Sequence, residues 1–360
     1  MILTIILFLA LLSLLVLVHE WGHFAAARKS GMVVEEFGIG FPPRLFSWTS
    51  KKGTTWSINA IPIGGFVRIQ GESGENRDTP GSFSSKSFFA RFVVLLGGVF
   101  MNVVLAMVLF SIGYAIGLPS VVEGQVDKQA RITNREVSIV QVLEDSPAAQ
   151  AGLEAGDVLV SIDGKTFTDG ETARNALVPH ADDTTLQIVV DRNGEEKTVQ
   201  VLPVYIQEID RDGVGVALVT TGIVRYPWYL VPVKGIVTGA GMTIQVVVAF
   251  AQLIGGIFTH QNVAAQLSGP VGIAVLTGQV AKLGFAHLIQ FAAMLSVNLA
   301  VLNVLPFPAL DGGRLLFLLI EFIRRRPASQ RLEQAVHATG FALLILLVIF
   351  VTFKDIVNLL

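Results

Sequence analysis

The chain has 360 residues, of which 52% are hydrophobic and 15% charged; its mean hydropathy is +0.62 and its net charge is −2. Soluble domains carry about 25% charged residues, so this composition indicates an integral membrane protein. The near-neutral charge gives no indication of nucleic-acid binding. The lack of cysteine excludes disulfides, thiolate zinc sites and a cysteine nucleophile.

Several stretches are long and apolar enough to cross a bilayer, which takes about 20 residues. The four predicted spans cover approximately residues 2–27, 92–118, 285–305 and 335–353. A fifth uncharged stretch at 235–258 is rich in glycine. Its length alone does not decide whether it crosses the membrane, so the charges that flank the spans are needed.

Basic residues set the predicted topology. Residues 28–91 hold nine Lys or Arg against five acids, and the loop at 324–331 holds four arginines. Both segments are therefore expected in the cytoplasm. Residues 119–282 hold eighteen acids against eleven bases, which suits the outer side. Four spans satisfy this pattern and place both termini outside. We therefore expect 235–258 to be an interfacial or bundle-packed helix.

The first span ends in His19-Glu20-Trp21-Gly22-His23, the pattern H-E-x-x-H. Residues four apart lie about 40° apart on one helical face, so both imidazoles can reach one zinc ion. Glu20 lies beside them and suits the role of general base. The alternative is a juxtamembrane helix whose polar groups only face lipid headgroups. It is disfavoured because ionisable groups at membrane depth are costly unless they are paired or ligated.

The loop after the first span contains a β pattern at residues 54–70. Trp56, Ile58 and Ala60 alternate with smaller or polar residues, 63–66 reads as a turn, and the alternation then resumes. This pattern predicts a hairpin. It is apolar enough to dip into the membrane, where its edges must pack on the spans or line a wet cavity.

Residues 119–205 are predicted to form a soluble domain that contains β-strands. Segments 137–142 and 186–190 have strand composition. Between them, Ser146-Pro147 starts a short helix, with Ser146 as N-cap, and a strand follows that ends at Asp163-Gly164. This pattern resembles a single PDZ domain of the bacterial protease type. Residues 206–284 are predicted to be a linker and the interfacial helix region.

Asp311 is the predicted third zinc ligand, because catalytic zinc usually takes three protein ligands and leaves one position open. It follows the third span, where Pro306 and Pro308 break the helix and Gly312-Gly313 lets the backbone turn. The charge topology places Asp311 and the H-E-x-x-H motif at the same end of their spans. Without that motif, a turn aspartate that caps the next helix would be the simpler interpretation.

Together these motifs resemble the site-2 protease family of intramembrane zinc metalloproteases. The bacterial branch that cleaves anti-sigma factors is the most similar. The resemblance covers nearly the whole chain. It is carried by His19-Glu20-x-x-His23, Gly98-Val-Phe-Met-Asn102, Ser268-Gly269-Pro270 and Asn303-x-x-Pro306-x-Pro308-x-Leu310-Asp311-Gly312.

The resemblance implies that His19, His23 and Asp311 bind Zn2+ and that Glu20 is the catalytic base. It implies that Asn102 and Asn303 lie near the site and handle the substrate backbone or the oxyanion. It also implies that the hairpin at 54–70 receives an unwound substrate strand. Many members carry two PDZ domains, whereas one is visible here.

The predicted fold is a multi-pass α-helical membrane protein with four transmembrane helices, a membrane-associated β-hairpin and one inserted PDZ-like α/β domain. Residues 1–118 and 285–360 form its two membrane parts. The expected location is the bacterial inner membrane, with the PDZ-like domain extracytoplasmic. The expected partners are the lipid bilayer and transmembrane substrates that have already been trimmed, such as anti-sigma factors.

The predicted function is intramembrane zinc endopeptidase in regulated intramembrane proteolysis. One alternative is a non-enzymatic membrane scaffold that binds peptides through its PDZ domain. It would be marked by degenerate metal-binding residues, and none of the three ligand positions is degenerate. A transporter is a further alternative, but it predicts a related pair of broken helices, and the sequence has no internal repeat.

Overall fold

The computed structural model describes residues 2–72, 79–124, 127–178, 184–192, 194–206, 211–258, 269–326 and 329–359. Ser268 of the Ser-Gly-Pro motif lies outside these residues. The chain divides into two compact units. One consists of Met1–Gly113 with Pro232–Leu360, and the other is Tyr114–Val231. We call them the membrane unit and the inserted unit.

The elements are numbered in chain order. The helices are α1 (Ile2–Lys29), α2 (Phe88–Ile116), α3 (Pro147–Gln150), α4 (Gly170–Ala176), α5 (Val231–Phe258), α6 (Pro270–Leu283), α7 (Phe285–Val304), α8 (Asp311–Arg324) and α9 (Gln330–Leu359). The strands are β1 (Val34–Thr49), β2 (Thr55–Ile69), β3 (Leu118–Val121), β4 (Arg131–Val142), β5 (Val158–Ile162), β6 (Leu186–Arg192), β7 (Glu195–Val201), β8 (Val204–Ile206), β9 (Arg211–Gly213) and β10 (Val216–Arg225).

Five helices in the described part of the chain are long and apolar enough to cross a membrane: α1, α2, α5, α7 and α9. Four of them coincide with the predicted spans. The fifth, α5, packs along α2, because a side chain at Gly235 would overlap Ser111 and one at Gly239 would contact Met107. It is therefore bundle-packed, which was one of the two predicted alternatives. The predicted count of four transmembrane helices is not confirmed.

Contacts along α1 and α2 show that these helices run antiparallel. His23, near the end of α1, contacts Val94 in the early part of α2, whereas His19 contacts Asn102 two turns further along α2. At the opposite end of α1, Thr4 contacts Gly278 of α6. Since α6 leads directly into α7, α7 starts beside the beginning of α1 and both helices run the same way.

The last helix, α9, runs opposite to α7. Near its start, His337 Nδ1 lies 3.0 Å from the backbone nitrogen of Ala309, just beyond the end of α7. Near its end, Asp355 accepts hydrogen bonds from the backbone amides of Gly269 and Gly272 at the beginning of α6. The H-E-x-x-H motif and Asp311 therefore belong to the same end of the bundle.

The β structure after α1 differs from the predicted hairpin at 54–70. Strand β2 is continuous through 63–66, and the turn lies at residues 50–53, between β2 and the unpredicted strand β1. The central part of β1, around Phe37, pairs with both Trp56 and Val67 of β2. Strands β1 and β2 are long and bent, so each contributes two short segments, and these four segments pair side by side. Strand β1 was missed because its Gly and Pro residues hide the alternation.

The inserted unit contains a six-stranded sheet in the order β3-β10-β4-β5-β6-β7. Its strands bury alternate residues against α3 and α4, giving a core that includes Val137, Ile188 and Val190. Ser146 Oγ accepts a hydrogen bond from Ala149 N at the start of α3, which confirms the predicted N-cap. The unit therefore has its own hydrophobic core.

The inserted unit extends beyond the predicted boundary at residue 205. Strand β10 lies in the stretch that was predicted as linker, yet it pairs with both β3 and β4 inside the sheet. Its partner residues lie between 74 positions (Val142 opposite Val216) and 106 positions (Leu118 opposite Val224) earlier in the sequence. Local pattern carries no information on pairing over that distance, so the sequence did not predict this strand as part of the domain.

Candidate metal centre

Helix α1 places His19 and His23 on one face, and both imidazoles are buried. Their Nε2 atoms are 3.2 Å apart. The helical spacing of four residues accounts for this convergence, since each turn takes 3.6 residues. The first half of α1 carries only apolar and hydroxyl side chains. The two imidazoles and Glu20 are therefore the first ionisable side chains along the helix.

Asp311 reaches the two histidines because the chain turns back sharply after α7. Helix α7 ends at Val304, Ala309 has a positive φ of 79°, and α8 starts at Asp311. A Cβ at Gly312 would overlap the carbonyl oxygens of Val304 and Leu305. Only glycine permits this approach. The turn therefore fixes Asp311 against the end of α7.

The three predicted ligands converge on one point. Asp311 Oδ2 lies 3.0 Å from Nε2 of His19 and 3.2 Å from Nε2 of His23. Tetrahedral zinc with bonds of about 2.0–2.1 Å keeps its ligand atoms roughly 3.3 Å apart. Among the residues that the structure describes, these three form the group whose ligand atoms can hold a metal ion. Two imidazoles and one carboxylate thus fit zinc in both spacing and donor type.

The other nitrogen of each imidazole also has a neighbour. His23 Nδ1 lies 2.8 Å from the carbonyl oxygen of Val94, which accepts its proton. His19 Nδ1 lies 3.4 Å from Nδ2 of Asn102, and the Asn303 amide is 3.5 Å from Nε2 of His19. Both predicted asparagines therefore reach the metal centre. The contacts at Nδ1 are of the kind that holds imidazole ligands in one orientation, whereas the Asn303 amide lies beside the Nε2 atom that faces Asp311.

Glu20 faces the β structure beside α1. Its Oε2 accepts a hydrogen bond of 3.0 Å from the backbone amide of Val67 in β2. Ser13, two turns earlier on α1, donates to the carbonyl oxygen of Pro62 at 3.0 Å. The second half of β2 therefore runs along α1, next to the predicted base.

Helices α1 and α2 pack closely, and this packing places His19 and His23 against the residues of α2 that contact them. A Cβ at Gly22 would overlap the backbone of Gly97, and one at Gly98 would overlap the imidazoles of His19 and His23. Gly98 belongs to a motif recognised in the sequence, but no role was predicted for it. The position of Gly98 in the Gly98–Asn102 motif was the sequence feature that could have indicated its role in this packing.

Two further contributors were missed because they act through the backbone: the Val94 carbonyl and the Val67 amide. Every residue has these groups, so no side-chain pattern identifies them. Ser296 was missed too. Its hydroxyl donates to the backbone carbonyl of Asn102 at 2.8 Å and links α7 to α2 at the metal centre.

The chain is similar to known proteins over nearly its whole length. Residues 7–347 match the model of peptidase family M50. The chain is 31% identical to zinc metalloprotease RasP of Oceanobacillus iheyensis and 30% identical to the regulator of sigma-W protease RasP of Bacillus subtilis; in both cases 98% of each chain is covered. A solved PDZ domain of an SdrC-like protein from Listeria monocytogenes matches 24% of this chain and 92% of its own, with 24% identity and a TM-score of 0.22.

Proposed function

Since the chain belongs to peptidase family M50 and is an intramembrane zinc protease, we propose that His19, His23 and Asp311 are its zinc ligands and Glu20 its catalytic base. The observation that carries this assignment is the convergence of two Nε2 atoms and one carboxylate oxygen within 3.2 Å of one another. Three protein ligands leave the fourth position for water or substrate.

When bound, zinc supplies a Lewis acid that polarises the scissile carbonyl and lowers the pKa of water towards neutrality. Glu20 takes a proton from the attacking water and later donates it to the leaving amide nitrogen. Its neighbour Val67 holds one carboxylate oxygen by a backbone hydrogen bond. The other oxygen is left for proton transfer, so the carboxylate is oriented before substrate arrives.

Substrate binding requires that a transmembrane helix unwinds, because its backbone carbonyls are otherwise tied up in the helix. We propose that the released strand is held beside β2, whose segment 65–69 pairs with β1 along one edge and faces Glu20 with the other. Asn303 is better placed than Asn102 to hold the substrate backbone or the oxyanion. Its side chain is only partly buried, whereas Asn102 is fully enclosed.

The substrates in this proposal are single-span membrane proteins that have already been trimmed, such as anti-sigma factors. The name of the Bacillus subtilis relative, regulator of sigma-W protease, supports this class. The basic loops at 28–91 and 324–331 support a cytoplasmic position for the metal centre. The proposed location is the bacterial inner membrane, with the inserted unit extracytoplasmic and acting as a PDZ-like domain.

We further propose that α1, α2, α7 and α9 are the four crossings that set the topology. Their alternating directions in the bundle support this assignment. Helix α5 runs beside α2 and also borders an apolar cavity of about 280 Å³ together with Val304 at the end of α7 and the following Leu305. It therefore extends along much of the bundle. A single-cysteine accessibility series along α5 would measure how deep it lies, since the chain has no other cysteine.

The test uses the purified full-length protein in nanodiscs with a fluorescent single-span substrate. We expect about one zinc per chain, loss of zinc in Asp311→Ala, and full zinc content without cleavage in Glu20→Gln. A Glu20→Gln variant that cleaves as fast as the parent would disprove the role of the base. A folded parent protein without zinc would disprove the ligand set.

A further inference from the structure

The neighbours of the His19 ring raise a question about Asn102. Nε2 of His19 points at Asp311 Oδ2, and Nδ1 points at the Asn102 side-chain amide, 3.4 Å from Nδ2. Asn102 is completely buried, and its Oδ1 has no hydrogen-bond partner within the described part of the protein. A buried amide oxygen without a donor is costly, because it gives up its hydrogen bond to water and gains none in return.

Zinc ligation fixes where the proton of His19 must be. A neutral imidazole carries one N–H, and the nitrogen that binds a metal must offer its lone pair. Because Nε2 is the atom at the metal centre, the proton belongs on Nδ1. Two donors, the Nδ1–H and the Asn102 NH2 group, would then oppose each other.

A half-turn of the Asn102 amide removes this conflict, because it exchanges oxygen and nitrogen at nearly the same positions. The oxygen that lacks a donor then accepts from Nδ1–H of His19. His23 already shows the same arrangement, since its Nδ1 faces the carbonyl oxygen of Val94 at 2.8 Å. Each histidine would thus donate to one oxygen on α2.

We propose that Asn102 is a positioning residue for the metal centre: its Oδ1 accepts the Nδ1 proton of His19 and so holds the Nε2 lone pair towards zinc. This inference rests on the ligand set proposed above. It assigns Asn102 an acceptor role, unlike the donor role that stabilising an oxyanion would require. The Ser296 hydroxyl, which donates to the backbone carbonyl of Asn102, keeps this part of α2 in place.

Two substitutions separate the acceptor role from the donor role. Asn102→Asp keeps an oxygen that can accept from Nδ1–H but removes the NH2 group. Asn102→Leu has a similar size and lacks both groups. Asn298→Leu on α7 serves as the matched control, since it also removes an amide from a membrane helix and, among the described residues, Asn298 makes no hydrogen bond with any of the three ligands.

The measurement is zinc affinity of the full-length protein in nanodiscs, by competition with a fluorescent chelator. We expect Asn102→Leu to weaken zinc binding about 10–100-fold, and Asn102→Asp and Asn298→Leu to stay within about threefold of the parent. Thermal unfolding with zinc removed checks that each variant folds. If Asn102→Leu does not fold, Asn102→Ser, whose hydroxyl is too short to reach Nδ1, replaces it with the same expectation.

The possible outcomes are distinct. Parent-like zinc affinity in Asn102→Leu overturns the positioning role, as does an equal loss of affinity in Asn102→Asp and Asn102→Leu. Loss of cleavage in Asn102→Asp and Asn102→Leu alike, with zinc affinity unchanged in both, would instead support the oxyanion role. A parent protein that binds no zinc would disprove the proposed ligand set itself. That outcome differs from those that disprove only the positioning role of Asn102.

Discussion

The backbone amide of Val67 donates a hydrogen bond of 3.0 Å to Oε2 of Glu20. This bond joins the predicted base on α1 to the strand β2. In that strand, Val67 pairs with Phe37 of β1 along the opposite edge. The amide that holds Glu20 is therefore outside the pairing between β1 and β2, and it can be removed without breaking that pairing.

The substitution Val67→Pro tests this contact, because proline has no backbone N–H and is tolerated where a strand amide faces away from its partner strand. We expect cleavage to fall at least tenfold, because Glu20 loses the hydrogen bond that orients it. Zinc content should stay at the parent level, because none of the proposed zinc ligands is replaced. The measurement is initial cleavage rate together with zinc content in nanodiscs. Val67→Ala is the control, since it keeps the amide. Equal rates in the two variants would show that the hydrogen bond is dispensable.

Gly98 offers a way to perturb the metal centre without replacing a ligand. A Cβ at this position would overlap Nε2 of His23 and would lie 2.7 Å from Cε1 of His19. The imidazoles cannot move away freely, since His23 is also held by the Val94 carbonyl. We expect Gly98→Ala to weaken zinc binding at least tenfold, measured by chelator competition.

The control for Gly98→Ala is Gly241→Ala on α5, where a Cβ would meet no atom within 4 Å. That variant should bind zinc as the parent does and gain slightly in helix stability, because alanine is the better helix former by roughly 1 kcal/mol. If Gly98→Ala retains the parent zinc affinity, the close approach of α2 to the two imidazoles is not required for the site.

The buried carboxylate of Asp355 leads to another prediction. It accepts from the amides of Gly269 at 3.2 Å and Gly272 at 2.7 Å, at the N-terminus of α6, where unpaired amides favour a negative charge. This contact gives the Gly269-Pro270 part of the predicted motif a structural role: a Cβ at Gly269 would lie 2.8 Å from Asp355 Oδ2.

We expect Asp355→Ala to lower the stability of the membrane unit by about 1–3 kcal/mol, and Asp355→Asn to lower it by less because one acceptor oxygen remains. Thermal unfolding in nanodiscs measures both losses. Hydrogen exchange should show faster exchange at the start of α6 in the alanine variant. Unchanged exchange there would mean that α6 does not depend on this carboxylate.

The parts of the site that sequence predicted are those carried by side chains at fixed local spacing. His19, Glu20 and His23 follow from helical geometry, and Asp311 from helix breakers and charge topology; the structure brings all four to one end of the bundle. The parts that were not predicted depend on distant pairing. The double use of β1 against β2 and the placement of β10 in the sheet arise from contacts whose partners no local pattern specifies.

The inserted unit contains an ion pair between the buried Asp157 carboxylate and the partly buried Arg192, and this pair predicts how the stability of the unit depends on pH. Burial alone would raise the pKa of the Asp157 carboxyl. However, hydrogen bonds from Arg192 at 2.6 and 2.7 Å, together with one from the Glu154 amide, outweigh that effect, so the pKa is lowered from its ordinary value of 3.8. A lowered folded-state pKa stabilises the unit at pH values above the unfolded-state pKa.

We expect Asp157→Asn to destabilise the inserted unit by about 2–4 kcal/mol at pH 7, because Arg192 loses its buried charged partner. This difference from the parent should persist down to about pH 5 and shrink below about pH 4, as Asp157 of the parent takes up a proton. Hydrogen exchange of β5 and β6 in the full chain, corrected for intrinsic rates, measures it. Glu154→Gln removes the exposed partner of Arg192 and should cost no more than about 1 kcal/mol. If Asp157→Asn and Glu154→Gln lose the same stability, the contact of Arg192 with the buried Asp157 contributes no more than its contact with the exposed Glu154.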